Sequence, residues 1–239
     1  MAEEKVYKFT DPTKPAKSLI VMLKIMLVLT LLSIVGGGYS LHVLTKIKKQ
    51  SFATQAAMEE AANCSDMING TIGGWANLLN LIIIIFFIRW MYRAAANNHA
   101  WKIENITQKP HWGWINFVIP FWCVVKPYEF FSEIWNAVEY DKEKPEDWKK
   151  LYAPRSLKIW WACFLISGIL SRILLRSGMN DESLNGLITS IWVAMISSFI
   201  DIAMYLALIK FIAGVMKRQI QYSQKVAEQN SEAAISNAQ

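Results

Sequence analysis

Residues 18–43 read SLIVMLKIMLVLTLLSIVGGGYSLHV, with Lys24 the one charged side chain in the run. A bilayer's hydrocarbon core takes about 20 helical residues to cross, so this stretch is long enough to span it. Three further runs, 72–90, 157–175 and 187–215, share its character. A helix satisfies every backbone N–H and C=O within one segment, which lipid demands. The reading is an all-α integral membrane protein with four transmembrane helices.

The 239 residues are 54% hydrophobic and include 11 Trp. Four spans and their connections leave no room for a separate soluble catalytic domain. The net charge of +6 does not point to nucleic acid, because the Lys and Arg residues cluster beside the ends of the apolar runs, where they set orientation and meet anionic lipid. Cys64, Cys123 and Cys163 share no CxxC spacing and imply no disulfide framework. Residues 1–17 carry Glu3, Glu4 and Asp11, and no cleavage-like site follows the first run, so that run is expected to be retained as a span.

Lys5, Lys8, Lys14 and Lys17 precede the first run, which places segment 1–17 in the cytoplasm. Lys46, Lys48 and Lys49 then face outward, outweighed by the larger basic set between Arg89 and Lys158 and by Lys217, Arg218 and Lys225. The first helix is expected to continue through Ala62, with a turn at Asn69-Gly70. The membrane domain is 18–215, with a cytoplasmic module at 93–156. The tail, 216–239, is rich in Gln, Ser, Ala and Asn and is expected to pass from frayed helix into disorder.

Within that module, Pro110-His111-Trp112-Gly113-Trp114 leads into apolar residues 115–125, too few to span and interrupted by Pro120 and then Pro127. Trp112, Trp114, Trp122 and Trp135 suit a lipid–water interface, as do Trp90 and Tyr92. The Trp/Pro-rich module is therefore either a re-entrant hairpin or an interfacial helix lying in the membrane plane. The charge run EYDKEKPED at 139–147 reads as a solvated loop.

The string Arg89-Trp90-Met91-Tyr92-Arg93-Ala94-Ala95-Ala96-Asn97, then Pro110 and Trp112, Phe117-Val118-Ile119-Pro120, Lys126-Pro127-Tyr128, Glu133-Ile134-Trp135 and Trp160-Trp161, resembles a bacterial membrane family, domain of unknown function 4328. The resemblance covers the second run to the fourth. It departs at Cys123 and Val125, where the family pattern carries Asn and Trp. What it implies is a multi-pass membrane protein, with no activity to carry over.

Asp201 falls near the middle of the fourth run, where a carboxylate costs about 2.5–3.5 kcal/mol unless paired or neutral. Lys24 and Arg172 are its candidate partners, with Ser197 and Ser198 one turn away. The site is either a proton or ion relay or a buried bond holding helices together. Lys126, Glu129 and Glu133 share one face of a helix opening at Pro127. They are either a charged cluster at a re-entrant loop or the polar side of an amphipathic helix whose other side is Phe130, Ile134 and Trp135. Arg93 and Asn97 complete the candidates, the Asn97 amide as partner for backbone groups freed by the prolines.

His42, His99 and His111 are not disposed for haem, and His99 and His111 with Glu104 lack HxxxH or HExxH spacing. No GxSxG elbow and no phosphate-binding glycine loop occur. No catalytic, cofactor or metal residue is assigned. The expected role is a non-enzymatic scaffold or accessory subunit assembling with itself or with another membrane protein. The alternative is a small transporter or channel using Asp201 and Lys126-Pro127. The expected location is the bacterial inner membrane with both termini cytoplasmic.

Overall fold

A computed structural model describes residues 6–103, 106–138, 153–180 and 183–236, with backbone only at 175–180. The run at 139–147, Glu104, Asp181 and Glu182 lie outside the described residues. Among the described residues six α-helices follow in order: α1 Thr13–Lys48, α2 Gln55–Ala100, α3 Trp112–Val118, α4 Lys126–Ala137, α5 Arg155–Asn180 and α6 Leu184–Ser236, with a 3-10 turn Trp122–Val124 before α4. No strand occurs among the described residues. Helices α1, α2, α5 and α6 are long and apolar enough to cross a membrane. This is an all-α membrane protein.

Asp11 opens α1, its carboxylate accepting the Thr13 N–H at 2.8 Å while Pro12 offers its carbonyl to Ala16. The Thr13 hydroxyl and N–H hold the Asp11 carboxyl below the ordinary carboxylate range. The helix closes earlier than the sequence suggested. Gln50, at φ 49°, donates to the Ile47 carbonyl and Ser51 to that of Lys46, the paired bonds that terminate a helix with a left-handed residue. Thr54 then caps α2, its hydroxyl accepting from Ala57 at 3.2 Å. The Ala/Gln/Glu segment through Ala62 therefore extends the second helix, and Asn69-Gly70 lies inside it. Helix propensity marked that segment as helical without telling which helix owned it.

The tail is also corrected, because α6 continues to Ser236. Ala, Gln, Glu and Lys favour helix, and growth from an existing helix avoids the cost of a new nucleus. With 46 and 53 residues, α2 and α6 run about 69 and 80 Å at about 1.5 Å per residue, more than twice a hydrocarbon core of about 30 Å. Their ends lie beyond the apolar runs.

The chain forms two compact units, the first Met1–Val21, Ile84–Lys158 and Leu208–Gln239, the second Met22–Ile83 and Ile159–Ala207. The first has an aromatic core. Trp90, 1% exposed, sits 5.9 Å from Phe87, 6.3 Å from Phe131 and 6.2 Å from Phe211 between ring centroids, so it is not the interfacial marker the sequence suggested. Trp135 is likewise a packing group, stacked 5.8 Å from Phe211 and 3.9 Å beneath the Arg218 guanidinium. Helices α4 and α6 meet at Gly214, where an added Cβ would stand 2.6 Å from the Trp135 ring. In the second unit Leu23, Met26, Val43, Trp160 and Trp161 are buried, while Val28, Leu31, Leu81, Ile169 and Phe199 stay exposed. An apolar exterior suits lipid, which exerts no hydrophobic force to cover it.

Candidate functional site

The first unit holds a buried network of amides. Asn97 on α2 grips the backbone of Thr10, its Oδ1 accepting the Thr10 N–H and its Nδ2 donating to the Thr10 carbonyl, each at 3.0 Å. The same Nδ2 donates to Gln219 Oε1 at 3.1 Å. Gln219, fully buried on α6, donates to the Ala94 carbonyl at 2.8 Å and to Asn98 Oδ1 at 3.2 Å. Asn98 Nδ2 reaches the Ile134 carbonyl of α4 at 3.4 Å. One set of neutral side chains thus ties the approach to α1, α2, α4 and α6 together. Buried amides are stable only when so satisfied.

Arg93 lies at the edge, exposed, donating to the Thr10 hydroxyl at 3.2 Å. Phe9 stacks on Trp101 at 5.2 Å, and Trp101 meets Tyr222 edge-on at 4.7 Å. Asn97 was expected to satisfy backbone freed by the prolines; it binds Thr10 and Gln219 instead. Gln219 was missed. Leu208, Phe211, Ile212 and Val215 are buried with it, so the helical spacing of α6 carries its core face past the last apolar residue. That register was the available signal.

Pro127 occupies the first turn of α4, as its fixed φ favours. Lys126 and Glu129 pair at 2.7 Å, both partly exposed, an ion pair worth little in that setting. Glu133 does not join them. It accepts the Thr107 hydroxyl at 2.7 Å and the Gln108 N–H at 3.2 Å, fixing the segment before α3, while Asn116 donates to the Gln108 side chain at 2.8 Å. His99 Nε2 lies 3.0 Å from the Gln108 carbonyl oxygen. Phe130 and Ile134 are buried on the opposite side, so α4 is amphipathic. Val118, the last residue of α3, is 68% exposed and Phe121 beyond it 90%, with Phe121 at φ 64°, a conformation a bulky residue seldom takes.

In the second unit, Ser167 of α5 donates to Asp201 of α6 at 2.7 Å. Lys24 and Arg172 are exposed, and neither provides the expected ion pair. The Ser198 hydroxyl turns back to the Ala194 carbonyl. A second polar knot joins α1 to α2, with Ser40 and Ser65 hydroxyls 2.7 Å apart and Asn69 Nδ2 donating to Ser40 at 2.7 Å. Among the described residues no three His, Cys, Asp or Glu side chains converge on a metal-sized space.

Fold and site together define an all-α membrane protein whose buried polar side chains, among the described residues, are neutral. Residues 53–217 match the domain of unknown function DUF4328, and the chain belongs to that family. The match takes in α2 to Lys217 of α6, including Arg93, Asn97, Lys126, Glu133 and Asp201. Neither a curated protein nor a solved structure matches the chain.

Proposed function

We propose that this protein is a non-enzymatic scaffold or accessory subunit of an assembly in the bacterial inner membrane, with both termini cytoplasmic. Its partners are the bilayer and either further copies of itself or another membrane protein. One observation carries the reading: the polar groups within the spans bond to each other across helices, Asp201 to Ser167 and Ser40 to Ser65 and Asn69. Such bonds are how helices in lipid are held together. The segment 115–125, with its exposed Val118, Phe121, Trp122 and Val125, rests in lipid from the cytoplasmic side without crossing.

The test compares Asp201→Asn with Asp201→Leu in reconstituted vesicles, measuring assembly size and ion flux. Asparagine can still accept from Ser167 and should preserve assembly, whereas leucine should loosen it, with flux absent throughout. A wild-type cation or proton flux abolished by Asp201→Asn in an intact assembly would overturn the reading in favour of a transporter.

A further inference from the structure

Two amides are out of place on α2. Asn77 and Asn80 lie within the second apolar run, Asn80 one residue from its midpoint, and both are exposed with no hydrogen-bond partner among the described residues. Lipid offers an amide neither donor nor acceptor. Within the second unit Asp201 finds Ser167, and Ser40 finds Ser65 and Asn69; Asn77 and Asn80 have no such partner among the described residues, so these two mark a surface left open.

Glycines share that surface. At 100° per residue, Gly70, Gly73, Gly74, Asn77 and Asn80 fall within an arc of about 120°. Glycines within the fold serve close contacts: an added Cβ at Gly36 would stand 2.8 Å from Asn69 Oδ1, and one at Gly37 3.1 Å from Met195. At Gly70, Gly73 and Gly74 an added Cβ would meet nothing within 4 Å. The backbone is bared there, as small residues bare it where two spans approach closely, yet nothing among the described residues lies against it.

We infer that this face of α2 is a self-association surface, and that its occupant is α2 of a second copy. The electrostatics select that partner. An asparagine carries donor and acceptor in one group, so it complements its own image across a twofold axis, and the glycine backbone on both sides admits the approach that pairing requires. An apolar partner helix would leave both amides unmet. This inference rests on the assembly reading above and supplies its surface.

The test measures energy transfer between donor- and acceptor-tagged full-length copies in lipid vesicles as the protein is diluted into lipid. Asn77→Leu combined with Asn80→Leu should weaken association at least tenfold, and Gly74→Ile should do the same by blocking approach. Leucine is at home in lipid, so the double variant should keep its fold, checked by helical circular dichroism. Trp75→Leu, on the other side of α2 at an exposed position, should change nothing. Association unaltered by both the amide and glycine variants overturns this face while leaving self-assembly standing. No transfer in the wild type overturns the second copy as occupant.

Discussion

Gln219→Met isolates the amide network's contribution to stability. Methionine matches glutamine in length and flexibility, so packing changes little, but it can neither accept from Asn97 nor donate to Ala94 and Asn98. Asn97 keeps Thr10, and the Ala94 carbonyl belongs to a helical turn. Asn98 Oδ1 is left as an orphaned acceptor at a residue 2% exposed. One buried unsatisfied group costs about 1–3 kcal/mol, and each 1.4 kcal/mol is about tenfold in an equilibrium. The folded-to-unfolded ratio should therefore fall by about 5- to 150-fold. Denaturant titration in mixed micelles, followed by circular dichroism, reads this directly. Gln224→Met, exposed on the same helix, should stay within about 0.5 kcal/mol of wild type. Asn97→Ala combined with Gln219→Met should couple by more than about 0.5 kcal/mol, as contacting residues do. If Gln219→Met matches Gln224→Met, or the double variant is additive, the network is not the lock described here.

Orientation is open to labelling with membrane-impermeant thiol reagents on whole cells. They should reach Cys64 and Asp181→Cys but not Lys144→Cys, and labelling of the last would reverse the topology. Nitroxide labels walked from Phe117 to Phe131 should show greatest lipid accessibility about Phe121 and protein burial at Phe130; uniform water exposure would show that segment 115–125 leaves the membrane.

The four spans were legible because lipid imposes one rule, a run of apolar residues about 20 long, and the chain obeys it four times. The amphipathic character of α4 was legible for a related reason: Phe130 and Ile134 against Lys126, Glu129 and Glu133 repeat at helical spacing. What composition could not show was which face of a tryptophan-bearing helix turns inward. Trp90 and Trp135 resemble interfacial anchors by type, yet each is claimed by Phe211, a partner over 70 residues away. The end of α1 was hidden because Gln50 adopts a left-handed conformation usually given to glycine. Asp201's partner was missed for a different reason. A charge suggests a countercharge, but half-buried in the fold it takes a hydroxyl from Ser167, which carries no signal of its own.

The choice of neutral partners bears on what the protein can do. An ion pair in a low-dielectric interior must recover the desolvation of two charges, whereas an amide bonded at both ends carries a smaller penalty and holds no exchangeable charge. In the first unit the charged candidates Arg93, Lys126, Glu129 and Glu133 stand at the periphery, and Asn97, Asn98 and Gln219 take the buried positions. An amide network fixes geometry over a wide pH range and relays no proton. That favours a fixed framework over a moving pathway. Asn77 and Asn80 carry the same chemistry on an exposed face: a group that joins helices inside the chain, placed where nothing among the described residues meets it.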